Sequence, residues 1–205
     1  MLALRAPSER PAQVGNQTAP GTTRTATKAE PQFTLLQQKI HGGINVPVVV
    51  VVGASNRFSF LPPRTWRAQR SAEPGEMLLE APEGAARFAI RIVERASPKD
   101  ATLTPELFSR QFAKRFPSPK VLKEFPAFAL NETGAAWDVD WTPASGSRHR
   151  SRCGFVPFPG GHVEFTLTAR AEQFPSQESV WDAVLLSFRR SNRDGQLELP
   201  SVTPE

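Results

Sequence analysis

The stretch AAWDVDWTPASGSRHRSRCGFV, residues 135–156, places two alternating runs on either side of a Pro-Ala-Ser-Gly-Ser segment. Trp137, Val139 and Trp141 alternate with Asp138 and Asp140. His149, Ser151 and Cys153 alternate with Arg148, Arg150 and Arg152. A period of two is the mark of strands with unlike faces. If residues 143–147 close a hairpin, Trp141 faces His149, Val139 faces Ser151 and Trp137 faces Cys153. The same register sets Asp140 opposite Arg150 and Asp138 opposite Arg152. Such pairs on a solvated face contribute about 0.2–1 kcal/mol each. Two carboxylates then account for two arginines, and Arg148 is left spare. Trp137 and Trp141 share the inner face, where they pack under a helix or line a ligand pocket.

Working outward, HVEFTLTAR follows a Pro-Gly-Gly turn and KVLKEFPAFALN precedes the hairpin, so four strands run in succession. Upstream, RFSFL, TWRAQR, EMLLEA and ARFAIRIVE read as short strands. In the last of these, Phe88, Ile90 and Ile92 share one face while Arg87, Ala89 and Arg91 share the other. Between the two groups the spacing predicts a helix. Thr104 is its N-cap, Pro105 its first residue and Glu106 lies in its first turn. Phe108, Phe112 and Phe116 form its apolar stripe, and Pro117 ends it. SQESVWDAVLLSFRR predicts a second helix capped by Ser176, with Arg189 and Arg190 at its negative end. Strands, helix, antiparallel strands and helix define an α+β fold. It has one antiparallel sheet of about six to eight strands, covered by two amphipathic helices over a single core.

INVPVVVVV, residues 44–52, is too short to span a bilayer, which takes about 20 apolar residues. Its β-branched residues, bounded by Pro47 and Gly53, read as a strand buried on both faces or clamped under a helix. Val52-Gly53-Ala54 also resembles a small-residue cleavage site. As written the chain reads as cytoplasmic; a leader ending near Ala54, or a signal upstream, implies export. GASN reads as a turn, because the strand-like RFSFL after it provides no helix start for a phosphate. Residues 1–31, rich in Pro, Thr, Ala and Gly, read as a disordered tail. Residues 32–192 form a single domain, and 193–205 a loose C-terminal tail.

The formal charge of +5 is spread thinly, with no basic face or helix beyond RHRSR, and this disfavours nucleic acid as a partner. A single cysteine, Cys153, excludes an intrachain disulfide. The 14 phenylalanines point to a dense aromatic core.

FSFLPPRTW resembles the opening strand and turn of the PsbP-like superfamily. TPELFSRQFAKRF and VWDAVLLSFR sit where that fold places its helices. The superfamily includes an extrinsic subunit of photosystem II, a Ran-binding nuclear import factor and many bacterial proteins. The resemblance, over residues 56–192, implies a binding or accessory module with no shared catalytic residues to carry over.

The residues themselves agree. No nucleophile elbow, Walker loop or dinucleotide fingerprint is present. His149 and Cys153 lie about 13 Å apart along one strand, too far to share a tetrahedral metal. Neither His41 nor His162 has a nameable partner, and no cofactor or metal is implied. Arg152 beside Cys153 would lower its pKa, yet no histidine is at hand in sequence to make it a nucleophile. The expected role is therefore a non-catalytic module that binds another protein or a small ligand. The competing class is a small hydrolase or isomerase with an unrecognised pocket. The third is anion or nucleic-acid binding through Arg148, Arg150 and Arg152.

Overall fold

The computed structural model describes residues 31–39, 43–95 and 102–191. The tails expected at 1–31 and 193–205 lie outside the described residues, Pro31 excepted, as does His41. The strands begin with β1 (Gln32–Lys39), β2 (Asn45–Val52), β3 (Arg57–Phe60), β4 (Arg67–Arg70), β5 (Glu76–Glu80) and β6 (Ala86–Glu94). Two short helices follow, α1 (Pro105–Ser109) and α2 (Phe112–Arg115). A meander of β7 (Lys120–Ala129), β8 (Glu132–Trp141), β9 (His149–Phe158) and β10 (Gly161–Arg170) leads to α3 (Glu178–Ser187) and β11 (Arg189–Ser191).

The expected sheet of six to eight strands is a seven-stranded antiparallel sheet, ordered β4-β5-β6-β10-β9-β8-β7. The valine strand lies in a second sheet, ordered β1-β2-β3-β11. Val48 to Val51 are all buried, as a β-branched run flanked by neighbours on both edges requires. Pro47 is tolerated because β2 meets β3 only from Val49 onward, so one side of the strand is open where the ring replaces a donor.

Alternation along the large sheet splits its side chains into two faces, and each face has its own core. On one face Phe88, Ile90, Val156, Val163, Phe165 and Leu167 pack with Val49, Val51, Phe58 and Phe60 of the small sheet and with Trp181, Val184 and Leu185 of α3. Gly154 keeps that contact open, since a Cβ there would lie 3.1 Å from the Trp181 ring. On the other face Trp137, Val139, Cys153 and Phe155 pack beneath Phe108, Phe112 and Phe116. The single core expected from sequence is thus two clusters, because both faces of β8 and β9 are covered.

The first helix keeps its cap, Thr104 Oγ1 accepting from the Leu107 amide at 3.3 Å. It breaks at Arg110–Gln111 into α1 and α2, and the three phenylalanines still reach the sheet. Ser176 does not cap α3. It sits in the preceding 3₁₀ turn and donates to the Gln173 carbonyl at 2.7 Å. Arg189 does serve the helix C-terminus, donating to the carbonyls of Leu186 (2.6 Å) and Phe188 (2.9 Å).

GASN is the turn joining β2 to β3, closed by the Gly53 amide on the Asn56 carbonyl at 2.8 Å. Glu94, at the end of β6, reaches across and accepts from the Ala54 amide (2.7 Å), the Ser55 amide (3.3 Å) and Asn56 Nδ2 (3.0 Å). A Cβ on Gly53 would meet that carboxylate at 2.7 Å. The small residues that resembled a cleavage site make room for a clasp between the two sheets.

Candidate functional site

The β8–β9 hairpin has the register read from its sequence: Trp141 opposite His149, Asp140 opposite Arg150, Asp138 opposite Arg152 and Trp137 opposite Cys153. Its loop is closed by the Gly146 amide on the Pro143 carbonyl at 2.9 Å. Arg150 engages Asp140 through two bonds of 2.7 and 3.2 Å. The hydrogen bond from Arg150, more than its charge, holds the Asp140 carboxyl below its usual range. Arg152 does the same with Asp138 at 2.8 and 2.9 Å, and reaches Glu178 at 3.3 Å. This second pair is not on a solvated face. Arg152 and Asp138 are each 8% exposed, and the guanidinium lies over the rings of Phe125 and Phe174. The start of α3 and the turn before it fold back over this face. Arg148, with its side chain 66% exposed and its Nε 3.9 Å from Asp140, stays at the surface.

Trp137 is buried between Phe108, Phe112 and Phe155. Trp141 differs. It lies between Phe116 at 5.2 Å and His149 at 5.1 Å, so three rings form a column that ends at His149. Its Nε1–H donates to Ser151 Oγ at 2.9 Å, and Ser151 Oγ lies 2.7 Å from Thr168 Oγ1.

Cys153 is fully buried, and burial pushes its thiol up to about 12. Arg152 does not lower it as expected, because successive strand residues face opposite ways and its guanidinium is on the far side of the sheet. His162 contacts Glu164 at 3.3 Å, and Glu164 also accepts from Arg115 at 2.7 Å. Burial opposes ionisation of Glu164, but His162 and Arg115 outweigh it and hold the carboxyl below its usual range. His149 pairs with Arg170 and His162 with Pro157 at the opposite end of β10, eight residues away, about 26 Å at strand rise. No group of three metal-ligating side chains occurs among the described residues.

At the β8–β9 loop end, two adjacent cross-strand rows border a cleft of about 610 Å³, with Trp141, His149, Arg170, Thr168 and Arg87 in its lining. One row runs Trp141, His149, Arg170. The other runs Ser151, Thr168, Arg87, with Glu80 beyond. Arg87 is held by Glu80 at 3.3 Å. Glu83, Gly84, Ala85, Ser145, Ser147 and Gln173 are also in the lining. Of the residues in the two rows, sequence reasoning singled out Trp141 as a pocket candidate; it did not single out His149, Arg170, Thr168 or Arg87 as such. The signal was present, since all lie on outward-facing positions of their strands, but it needed the β6–β10 pairing to bring them together.

Architecture and element order are those of the PsbP-like fold. Cyanobacterial PsbP (CyanoP) from Synechocystis sp. PCC 6803 superposes with a TM-score of 0.50 at 15% identity, over 82% of this chain and 96% of that one. LpqN of Mycobacterium tuberculosis, involved in cell envelope biogenesis, gives 0.49 at 11% identity over 78% of this chain and 91% of its own. The Saccharomyces cerevisiae Ran-binding protein Mog1p gives 0.44 at 10% identity over 77% of this chain and 95% of its own. No known protein-family profile matches the chain, and no curated protein matches it by sequence. Among the described residues no helix is long and apolar enough to cross a membrane.

Proposed function

We propose that this chain is a non-catalytic binding module that receives its ligand or protein partner in the cleft at the β8–β9 loop end. The observation that carries this reading is the cleft itself. Its roughly 610 Å³ is in the range of about 300–1,000 Å³ usual for ligand sites. Its walls mix an aromatic stack with arginine, hydroxyl and amide groups. The groups that elsewhere do chemistry are committed to structure. Cys153 is buried with its thiol raised, Glu164 is tied to His162 and Arg115, and Asp138 and Asp140 are tied to Arg152 and Arg150. Arg148, whose side chain is the most exposed of the three arginines, lies on the Asp140 side of the strand and outside the cleft lining.

The test is affinity capture from the native source with the wild-type chain and with S147W. Position 147 is exposed and lines the cleft, so a tryptophan there fills the space without disturbing either core. Loss of the captured species with S147W supports the reading. Equal capture by both chains refutes it. A turnover abolished by H149A would overturn its non-catalytic part.

A further inference from the structure

We propose that the cleft takes a small planar aromatic anion, a ring system carrying one carboxylate, phosphate or sulfonate group. This rests on the cleft being the binding site and adds the class of ligand. Three observations converge on it.

The first is the ring column. Phe116 and Trp141 are 5.2 Å apart and Trp141 and His149 5.1 Å apart, the latter pair stacked within 28°. Phe116 is buried in the core, whereas Trp141 and His149 both line the cleft. The column therefore ends in the opening, where a flat ring continues it as an offset stack. His149 is held for this by its Nδ1, 2.9 Å from the Ser147 carbonyl, which leaves Nε2 as the ring's other polar edge. Gly84, Ala85 and Ala86, also in the lining, take up little of its space.

The second is charge. Arg87 is neutralised by Glu80. Arg170, also in the lining, makes no ion pair among the described residues. Glu83 is the only carboxylate in the lining and makes no ion pair with Arg170. A guanidinium with open donors beside a ring stack fits an anion carried by an aromatic ring.

The third is a proton count. Ser151 Oγ accepts from Trp141 Nε1–H and lies 2.7 Å from Thr168 Oγ1. Ser151 is fully buried, so its own proton needs an acceptor, and Thr168 is the one in reach. Donation from Ser151 to Thr168 frees the Thr168 hydroxyl proton for the cleft, where it donates to the same anion as Arg170.

The test uses isotope-labelled full-length protein and two probes with the same rings. 8-Anilino-1-naphthalenesulfonate carries the anion, and N-phenyl-1-naphthylamine lacks it. The sulfonate is expected to shift the amides of residues 145–149 and 168–170 in a saturable one-to-one titration, with the neutral probe at least about tenfold weaker. R170E should weaken the sulfonate about tenfold or more and leave the neutral probe unchanged. H149A should weaken both. R170Q, with the same expected direction, stands in if R170E disturbs amides outside the cleft. Equal affinities for the two probes at these amides, or indifference of the sulfonate to both Arg170 variants, would overturn the aromatic anion and leave the cleft reading standing. Shifts confined to residues elsewhere would overturn both.

Discussion

Replacing Asp138 by alanine tests most directly what the return of α3 does to the β8–β9 hairpin. Asp138 takes two bonds from Arg152 at 2.8 and 2.9 Å, with both residues 8% exposed. A solvated cross-strand pair contributes about 0.2–1 kcal/mol. Removing one partner of a buried, bidentate pair leaves an uncompensated charge and costs about 3–5 kcal/mol. Glu178 retains one contact to Arg152 at 3.3 Å, but its side chain is 46% exposed and replaces little of what is lost. D138A should therefore lose about 3–4 kcal/mol, a large part of the roughly 5–15 kcal/mol of a typical fold. In urea unfolding followed by tryptophan fluorescence, the midpoint should fall by about 1.5–2 M at a slope near 2 kcal/mol/M. The double variant D138L/R152L removes both charges, so it should lose less than D138A alone. A D138A cost below about 1 kcal/mol would refute the reasoning, and so would a double variant less stable than D138A.

Cys153, fully buried with its thiol raised to about 12, should resist a disulfide reagent at pH 8 in the native protein and react at once in urea; rapid native labelling would contradict its placement. Glu164 has a folded pKa below its ordinary 4.5, so the stability it contributes is complete above that value and is lost as pH falls through the lower folded one. E164Q should accordingly flatten the acid limb of stability against pH, and an unchanged limb would count against the Arg115–Glu164–His162 chain. A chain begun at Ser55 lacks four buried valines, Val48 to Val51, each contributing about 1.5–3 kcal/mol. It should show no cooperative unfolding by circular dichroism, and a sharp transition would show that the small sheet is dispensable.

The β8–β9 register was legible because two alternating runs flank a short turn, and a hairpin closed at residues 143–147 sets opposite charges opposite each other. The face of the first helix was legible from four-residue aromatic spacing, although the break at Arg110–Gln111 was not, since nothing in that spacing marks it. β1 was illegible because Gln32–Lys39 is exposed along most of its length and leaves no alternation to read. The depth of Arg152 was hidden as well. It depends on Phe174 and Glu178, which return over the strand from more than twenty residues away. The clasp at residues 53–56 was hidden because its partner, Glu94, lies some forty residues downstream. The cleft escaped for the same reason: Arg87 meets Thr168 only through pairing across eighty residues of chain.

The small sheet draws on both ends of the described chain, β11 closing onto β3 with Arg189 opposite Ser59. Synthesis runs from the N-terminus, so the valine strand leaves the ribosome well before α3 and Phe188, which complete its core, have been made. At roughly 5–20 residues per second, that interval lasts on the order of ten seconds. Throughout it, a run of β-branched residues with no charge of its own is present in a nascent chain that cannot yet cover it, the composition most prone to strand-to-strand association. Protection in that window falls to whatever binds emerging chains. Yield during expression should then depend on translation speed and chaperone supply more steeply than the stability of the finished protein would suggest.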